Sequence, residues 1–213
     1  MGKIYIFILC PPFQGSTIIV KLLNSSNKVT SFLNSPTKSG ESQWLYKKHG
    51  DKQYIKNRWD PEYKLDMNMV NNVFNIYLDK KKEIYIEKSP PTICRAKMFE
   101  EYFSKLGKVY FIISIRNPYS TRYNANQWIK FAKYQKHNIE NLKNTIVINY
   151  EDFCNDIDNI KSKIINEIPE LGNLIYNEVH SKRVDLIIDK EKTTKILKKN
   201  KKLLKFFGYN IIS

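Results

Sequence analysis

Lys3-Ile-Tyr-Ile-Phe-Ile-Leu9, followed by Cys10-Pro-Pro-Phe-Gln-Gly-Ser-Thr17 and the apolar-periodic run to Leu23, is the stretch that decides the fold. Its first seven residues are almost unbroken β-branched and aromatic side chains, the composition of a strand buried on both faces. Cys10-Pro11-Pro12 ends that strand, because proline cannot donate to a ladder. Gly15 permits a tight turn, and Ser16 to Leu23 shows helical spacing. Strand, short loop and helix form the first half of a βαβ unit.

The same grammar repeats downstream. Glu83-Ile-Tyr-Ile-Glu87 alternates as a strand and meets Lys88-Ser89-Pro90-Pro91, with a helical stretch to about Leu106. Lys108 to Ile115 is the strongest strand pattern and ends at Arg116-Asn117-Pro118, before a helix to about Lys136. Asn144 to Asn149 is a further strand, residues 150 to 178 read as helices, and 190 to 207 is a Lys-rich amphipathic segment. Residues 64 to 79 are helical in spacing. Residues 24 to 63, broken by Pro36, Gly40, Gly50 and Pro61, read as loops and short helices. Alternating strands and helices predict one α/β domain over residues 1–213, with a central parallel sheet flanked by helices. Such sheets bind ligands at the carboxyl ends of their strands, where the polar clusters fall.

The bulk numbers agree with a single globular unit: 213 residues, 42% hydrophobic and 13% aromatic. A formal charge of +15 favours anionic partners, although only five of the 36 basic residues are Arg (58, 95, 116, 122 and 183). Those few guanidiniums are the more informative cations, since their planar fork suits phosphate. Three widely spaced cysteines suggest neither a disulfide framework nor a metal site, so no metal is expected. The apolar run Ile4 to Leu9 is too short for a signal peptide or a membrane span. A soluble cytoplasmic or otherwise intracellular location is the resulting expectation.

Three clusters carry chemistry. In Cys10 to Thr17 the glycine allows close backbone approach, and the opening helix offers amides and a positive dipole end to an anion. The loop is not a Walker A motif, since no Lys precedes the Ser16-Thr17 pair. Lys88 stands at the end of an interior strand, where packing explains an ammonium poorly. Arg116 ends the next strand and is placed to meet phosphate.

Taken in order, strand–PxxGST–helix, EKSP ahead of a helix, strand–RNPY–helix and the later Asn149-Tyr-Glu-Asp-Phe153 resemble the sulfotransferases that use 3'-phosphoadenosine-5'-phosphosulfate (PAPS). The pattern is closest to the protein-tyrosine and carbohydrate members. The resemblance implies a fold like that of the P-loop NTPases, a nucleotide donor and a hydroxyl acceptor on a glycan or peptide. It implies that Gln14, Gly15, Ser16 and Thr17 cradle the 5'-phosphosulfate and that Arg116 binds the 3'-phosphate. Asn124 stands where the family usually has a Ser on that phosphate. Lys88 matches the lysine that stabilises transition-state charge, and Gly40-Glu41 matches the glycine–glutamate pair whose Glu is the base. A base is required to take the acceptor's proton; His49 is the next candidate.

The chain departs from the family at Phe13, where most members carry a basic residue beside the bridging oxygen. Losing that contact would cost about 2–4 kcal/mol by analogy with oxyanion donors. A catalytically weak polyanion-binding relative is therefore one alternative. A P-loop-type nucleotide or metabolite kinase is another, disfavoured by the missing loop Lys and by the lack of a Mg²⁺-binding Asp at a strand end. No RNA-binding or zinc-finger signature supports a nucleic-acid partner. Acceptor selectivity is expected in residues 34 to 63, around Trp44, Trp59 and the neighbouring tyrosines.

Overall fold

The computed structural model describes residues 2–37, 39–176 and 190–212. Five parallel strands form one sheet in the order β2-β3-β1-β4-β5: β1 (Lys3–Leu9), β2 (Val29–Ser31), β3 (Ile84–Glu87), β4 (Gly107–Ile115) and β5 (Thr145–Asn149). Four of these are the strands expected from sequence. β2 was expected as loop, because three residues of Val-Thr-Ser after a polar turn show no periodicity and gain strand character only by pairing with Ile84 to Ile86.

β1 lies between β3 and β4, and its alternating side chains separate two cores. Ile4, Ile6 and Ile8 face an aliphatic layer with α1 (Ser16–Leu23). Tyr5, Phe7 and Leu9 face an aromatic layer. In that layer Phe7 contacts Phe74, Phe99, Phe103 and Phe111, with centroids 5.1 to 6.4 Å away in tilted or edge arrangements that favour aromatic pairs.

Two four-residue helices, α2 (Gln43–Tyr46) and α3 (Tyr54–Asn57), break the long second connection, as expected of that segment. α4 (Met67–Tyr77) is N-capped by Asp66, whose carboxylate accepts from the amides of Asn68 and Met69. After β3 the chain enters a 3₁₀ turn (Pro90–Arg95) and then α5 (Ala96–Phe103). The expected single helix is split here because two prolines set the first turn.

The helix after β4 starts later than the motif suggests: turns occupy 116 to 124 and α6 runs Ala125–Asn141. α6 sutures the sheet from one side. Gln135 Nε2 donates to the carbonyls of Leu9 (2.6 Å) and Ser114 (3.0 Å), spanning the ends of β1 and β4. Beyond β5, α7 (Tyr150–Asn155) and α8 (Ile157–Glu167) precede a 3₁₀ turn, Pro169–Leu171. The helices expected over 150 to 178 therefore end early, at Leu171, and positions 177 and 178, like Arg183, lie outside the described residues.

The Lys-rich segment forms two helices, α9 (Lys190–Lys198) and α10 (Lys201–Phe206), broken at Lys199-Asn200. Leu197, Leu203, Leu204 and Phe207 pack on Ile115, Trp128 and Ile129 in a third core cluster. Among the described residues, no helix is long and apolar enough to cross a membrane.

Gly107 opens β4 opposite Lys3, and a Cβ there would lie 2.0 Å from the Lys3 carbonyl oxygen. Gly107→Ala is expected to part the amino ends of β1 and β4 and to destabilise the protein by about 1–3 kcal/mol. Urea unfolding measures this, and an unchanged midpoint contradicts so tight an approach.

Candidate active site

Because all five strands are parallel, their carboxyl ends share one edge, and there the expected site residues leave the sheet. The turn after β1 is closed by the Gln14 amide donating to the Pro11 carbonyl. Phe13 takes its third position with φ 59, a left-handed conformation suited to glycine. That costs on the order of 1 kcal/mol and throws the ring outward, where it is 69% exposed. Gly15 follows at φ 95 as the N-cap of α1. A Cβ on Gly15 would strike the Tyr150 ring at 2.4 Å, so glycine is required here by both backbone and packing.

A cleft of about 620 Å³ opens over this loop. Gly15, Ser16, Thr17, Glu41 and Lys88 line it together. The Lys88 ammonium is 3.2 Å from Glu41 Oε1 and 3.4 Å from Thr17 Oγ1, and the two charged side chains are 4% and 16% exposed. Glu41 is therefore not a solvated surface acid. Its Oε2 also accepts from Gln43 Nε2 and Trp44 Nε1. Phe13, Trp44, Arg58, Trp59 and Tyr123 form the outer walls, with Arg58 stacked 4.9 Å above the Trp44 ring. Of the aromatics expected to give selectivity, Trp44 and Trp59 reach the cleft. Tyr46 and Tyr54 are core residues, and His49 bonds Tyr77 OH (3.0 Å), outside the cleft walls.

Gln14, Arg116 and Asn124 are not among those walls. Gln14 is buried under the loop. Its Nε2 reaches Thr121 Oγ1 (3.4 Å), while its Oε1 has no hydrogen-bond partner among the described residues. Arg116 is buried, donating from Nε to Ser120 Oγ (3.2 Å) with its guanidinium 4.3 Å above the Tyr150 ring. Tyr150 thus touches the phosphate-type loop and Arg116 at once. Asn124 caps α6 in a reciprocal capping box with Gln127. Arg122, in the same turn segment, places its guanidinium 5.3 Å above the Phe13 ring.

Two carboxyls hold these loops, Glu87 fully buried and Glu151 half-buried, and the quoted motifs assign neither a role. Glu87 accepts from Ser42 Oγ (2.8 Å) and Thr92 Oγ1 (3.3 Å), and Ser89 Oγ accepts the Gln43 amide (3.0 Å). This fixes the Glu41 loop against the Lys88 strand end. Glu151 accepts from the Asn117 amide (2.9 Å), Ser120 Oγ and Tyr209 OH (2.9 Å), fixing the turn after Arg116. The signal was in the sequence: Glu87 closes β3 and Glu151 stands two residues beyond β5, each inside a quoted motif. Burial pushes the Cys10 thiol up to about 12, so it is not a thiolate nucleophile at neutral pH. Among the described residues, no three His, Cys, Asp or Glu side chains group as metal ligands.

No family model matches this chain, and no curated protein matches it. Solved structures do. A sulfotransferase from Alicyclobacillus acidocaldarius superposes with TM-score 0.58 at 11% identity, over 99% of this chain and 98% of that one. The sulfotransferase domain of the Synechococcus PCC 7002 olefin synthase gives 0.53 at 15% identity, over 99% and 96%. The sulfotransferase domain from the curacin biosynthetic pathway gives 0.50 at 15% identity, over 99% of each. The chain has the sulfotransferase fold.

Burial raises the Glu87 carboxyl above its ordinary value of 4.5, against the pull of hydrogen bonds from Ser89 and Ser42. A raised folded-state value means the stability it contributes is complete below about 4.5 and is lost as pH climbs through the raised value. Glu87→Gln keeps a neutral acceptor in place. The wild-type-minus-variant stability is therefore expected to fall as pH rises from 4 to 8 in urea titrations, and a constant difference refutes a raised Glu87.

Proposed function

We propose that this protein is a sulfotransferase that moves a sulfuryl group from PAPS to the hydroxyl of a carbohydrate or tyrosyl-peptide acceptor. The observation that carries this reading is the meeting of Glu41, Lys88 and the Ser16-Thr17 helix start in one cleft at the carboxyl edge of a parallel sheet. The residues fit a nucleotide that is anionic at both its 5' and its 3' position. The Thr17 hydroxyl, the Lys88 ammonium and the first amides of α1 converge on the 5' side. Arg116 takes the 3'-phosphate, and Asn124 keeps its Nδ2 as a donor while Oδ1 caps α6.

The donor is a substrate, and the reaction is one in-line displacement. The acceptor oxygen bonds to sulfur as the bond from sulfur to the phosphate oxygen breaks. Glu41 takes the acceptor's proton. Lys88 faces the negative charge that grows on the transferring and leaving oxygens, with both partners prepositioned. Arg122 supplies the cation that position 13 lacks: the Phe13 ring serves as its platform beside the loop, a cation–π contact worth about 0.5–1 kcal/mol at an exposed site.

Titration calorimetry of adenosine 3',5'-bisphosphate without metal is the test. Micromolar binding by the wild type, lost in an Arg116→Ala protein that keeps the wild-type circular dichroism spectrum at the assay temperature, is expected; no binding by the wild type refutes the reading. With PAPS and an accepted hydroxyl substrate, Lys88→Ala and Glu41→Gln should each lower kcat by about 10²–10⁴. Arg122→Ala should lower kcat while bisphosphate affinity stays within a few-fold. A kcat unchanged in Arg122→Ala removes that residue from the mechanism.

A further inference from the structure

A second groove, of about 640 Å³, lies between the Pro90–Arg95 turn, the start of α5 and the outer face of α6. It shares no lining residue with the cleft over the loop. Phe131 stands beside the cleft residues Trp59 and Tyr123, with ring centroids 5.3 and 5.1 Å away, on the same helix as the groove residues Lys130 and Lys133. Its volume falls in the range of small-molecule sites, about 300–1,000 Å³. Its floor is apolar, from Ile93, Ala96, Ile129 and Tyr134.

The charge of the groove is one-sided. Arg95, Lys97, Lys130 and Lys133 line it with His137, and no Asp or Glu does. Lys97 is neutralised by Glu100, but among the described residues neither Lys130, Lys133 nor Arg95 is in an ion pair. Arg95 is the unusual member. It is only 4% exposed, and its two terminal nitrogens are spent on backbone carbonyls, the shortest bonds being to Arg58 and Asp60 at 2.7 Å each. Its Nε has no partner among the described residues. Carbonyl dipoles hold this guanidinium in place but leave its full charge in a region of low dielectric. Clamping the 57–60 segment to the 3₁₀ turn accounts for the carbonyl bonds; it does not account for an acid-free, lysine-rimmed groove beside them.

We infer that this groove binds a small organic anion: a flat apolar body on the Ile93–Ile129–Tyr134 floor, with a carboxylate, sulfonate or sulfate facing Lys130, Lys133 and the Arg95 charge. The inference does not depend on the sulfotransferase reading.

Titration calorimetry of naphthalene-2-sulfonate into the full chain, with neutral naphthalene-2-methanol as comparator, tests it. One molecule of the sulfonate is expected to bind per chain, at least tenfold tighter than the alcohol. Saturating adenosine 3',5'-bisphosphate should not displace it. Lys130→Glu/Lys133→Glu, at solvent-accessible positions of α6, should weaken it at least tenfold while the circular dichroism spectrum stays unchanged. Equal binding of sulfonate and alcohol, retention in the charge-reversed variant, or displacement by the bisphosphate overturns the inference. If the bisphosphate itself fails to bind, the functional reading falls and the charge-reversal comparison still decides the groove.

Discussion

Parallel pairing of β1 with β3 on one side and β4 on the other is the constraint on which the site depends. A parallel neighbour requires a crossover, so each strand must hand its chain to a helix before the next can form. All carboxyl ends then fall on one edge. The register sets the depth of each group: Phe7 is level with Glu87 and Leu9 with Ile113, so the loop after β1 opens between Lys88 and Arg116. Burial on both faces locks this register, because a one-residue slip would exchange the aliphatic and aromatic layers of β1.

On that edge, one buried and one half-buried carboxyl give the loops their shape. Glu87 gathers the hydroxyls of Ser42 and Thr92, and Glu151 gathers the Asn117 amide, Ser120 and Tyr209. Such networks stabilise only when their members are satisfied, and they then fix one geometry. Tyr150 joins the two halves by packing against Gly15 on one side and Arg116 on the other. The Lys88–Glu41 pair sits inside this frame, where both side chains are largely withdrawn from water and so held at short range.

The +15 charge divides by structure into two kinds. Much of the lysine excess near the carboxyl terminus is the solvated side of α9 and α10, whose apolar sides pack on Trp128 and Ile129. Those lysines are explained by amphipathicity. The cations at Lys88, Arg95 and Arg116 are different, since each is buried and held by named partners.

The sequence by itself determined the α/β class, four of the five strands and the order of the strand-end clusters, because long apolar runs and Pro-Gly punctuation are local signals. The motif order also pointed to Gly15, Glu41, Lys88 and Arg116. Tertiary structure alone decided that Glu41 pairs with Lys88, that His49 turns away to Tyr77, and that Val29–Ser31 becomes an edge strand. It also seated Arg122 on Phe13 and left Arg95 buried without a carboxylate. These contacts join residues far apart in the chain or depend on a turn's φ, and neither leaves a periodic trace: proximity through the fold is set by the packing of the layers, not by spacing along the chain.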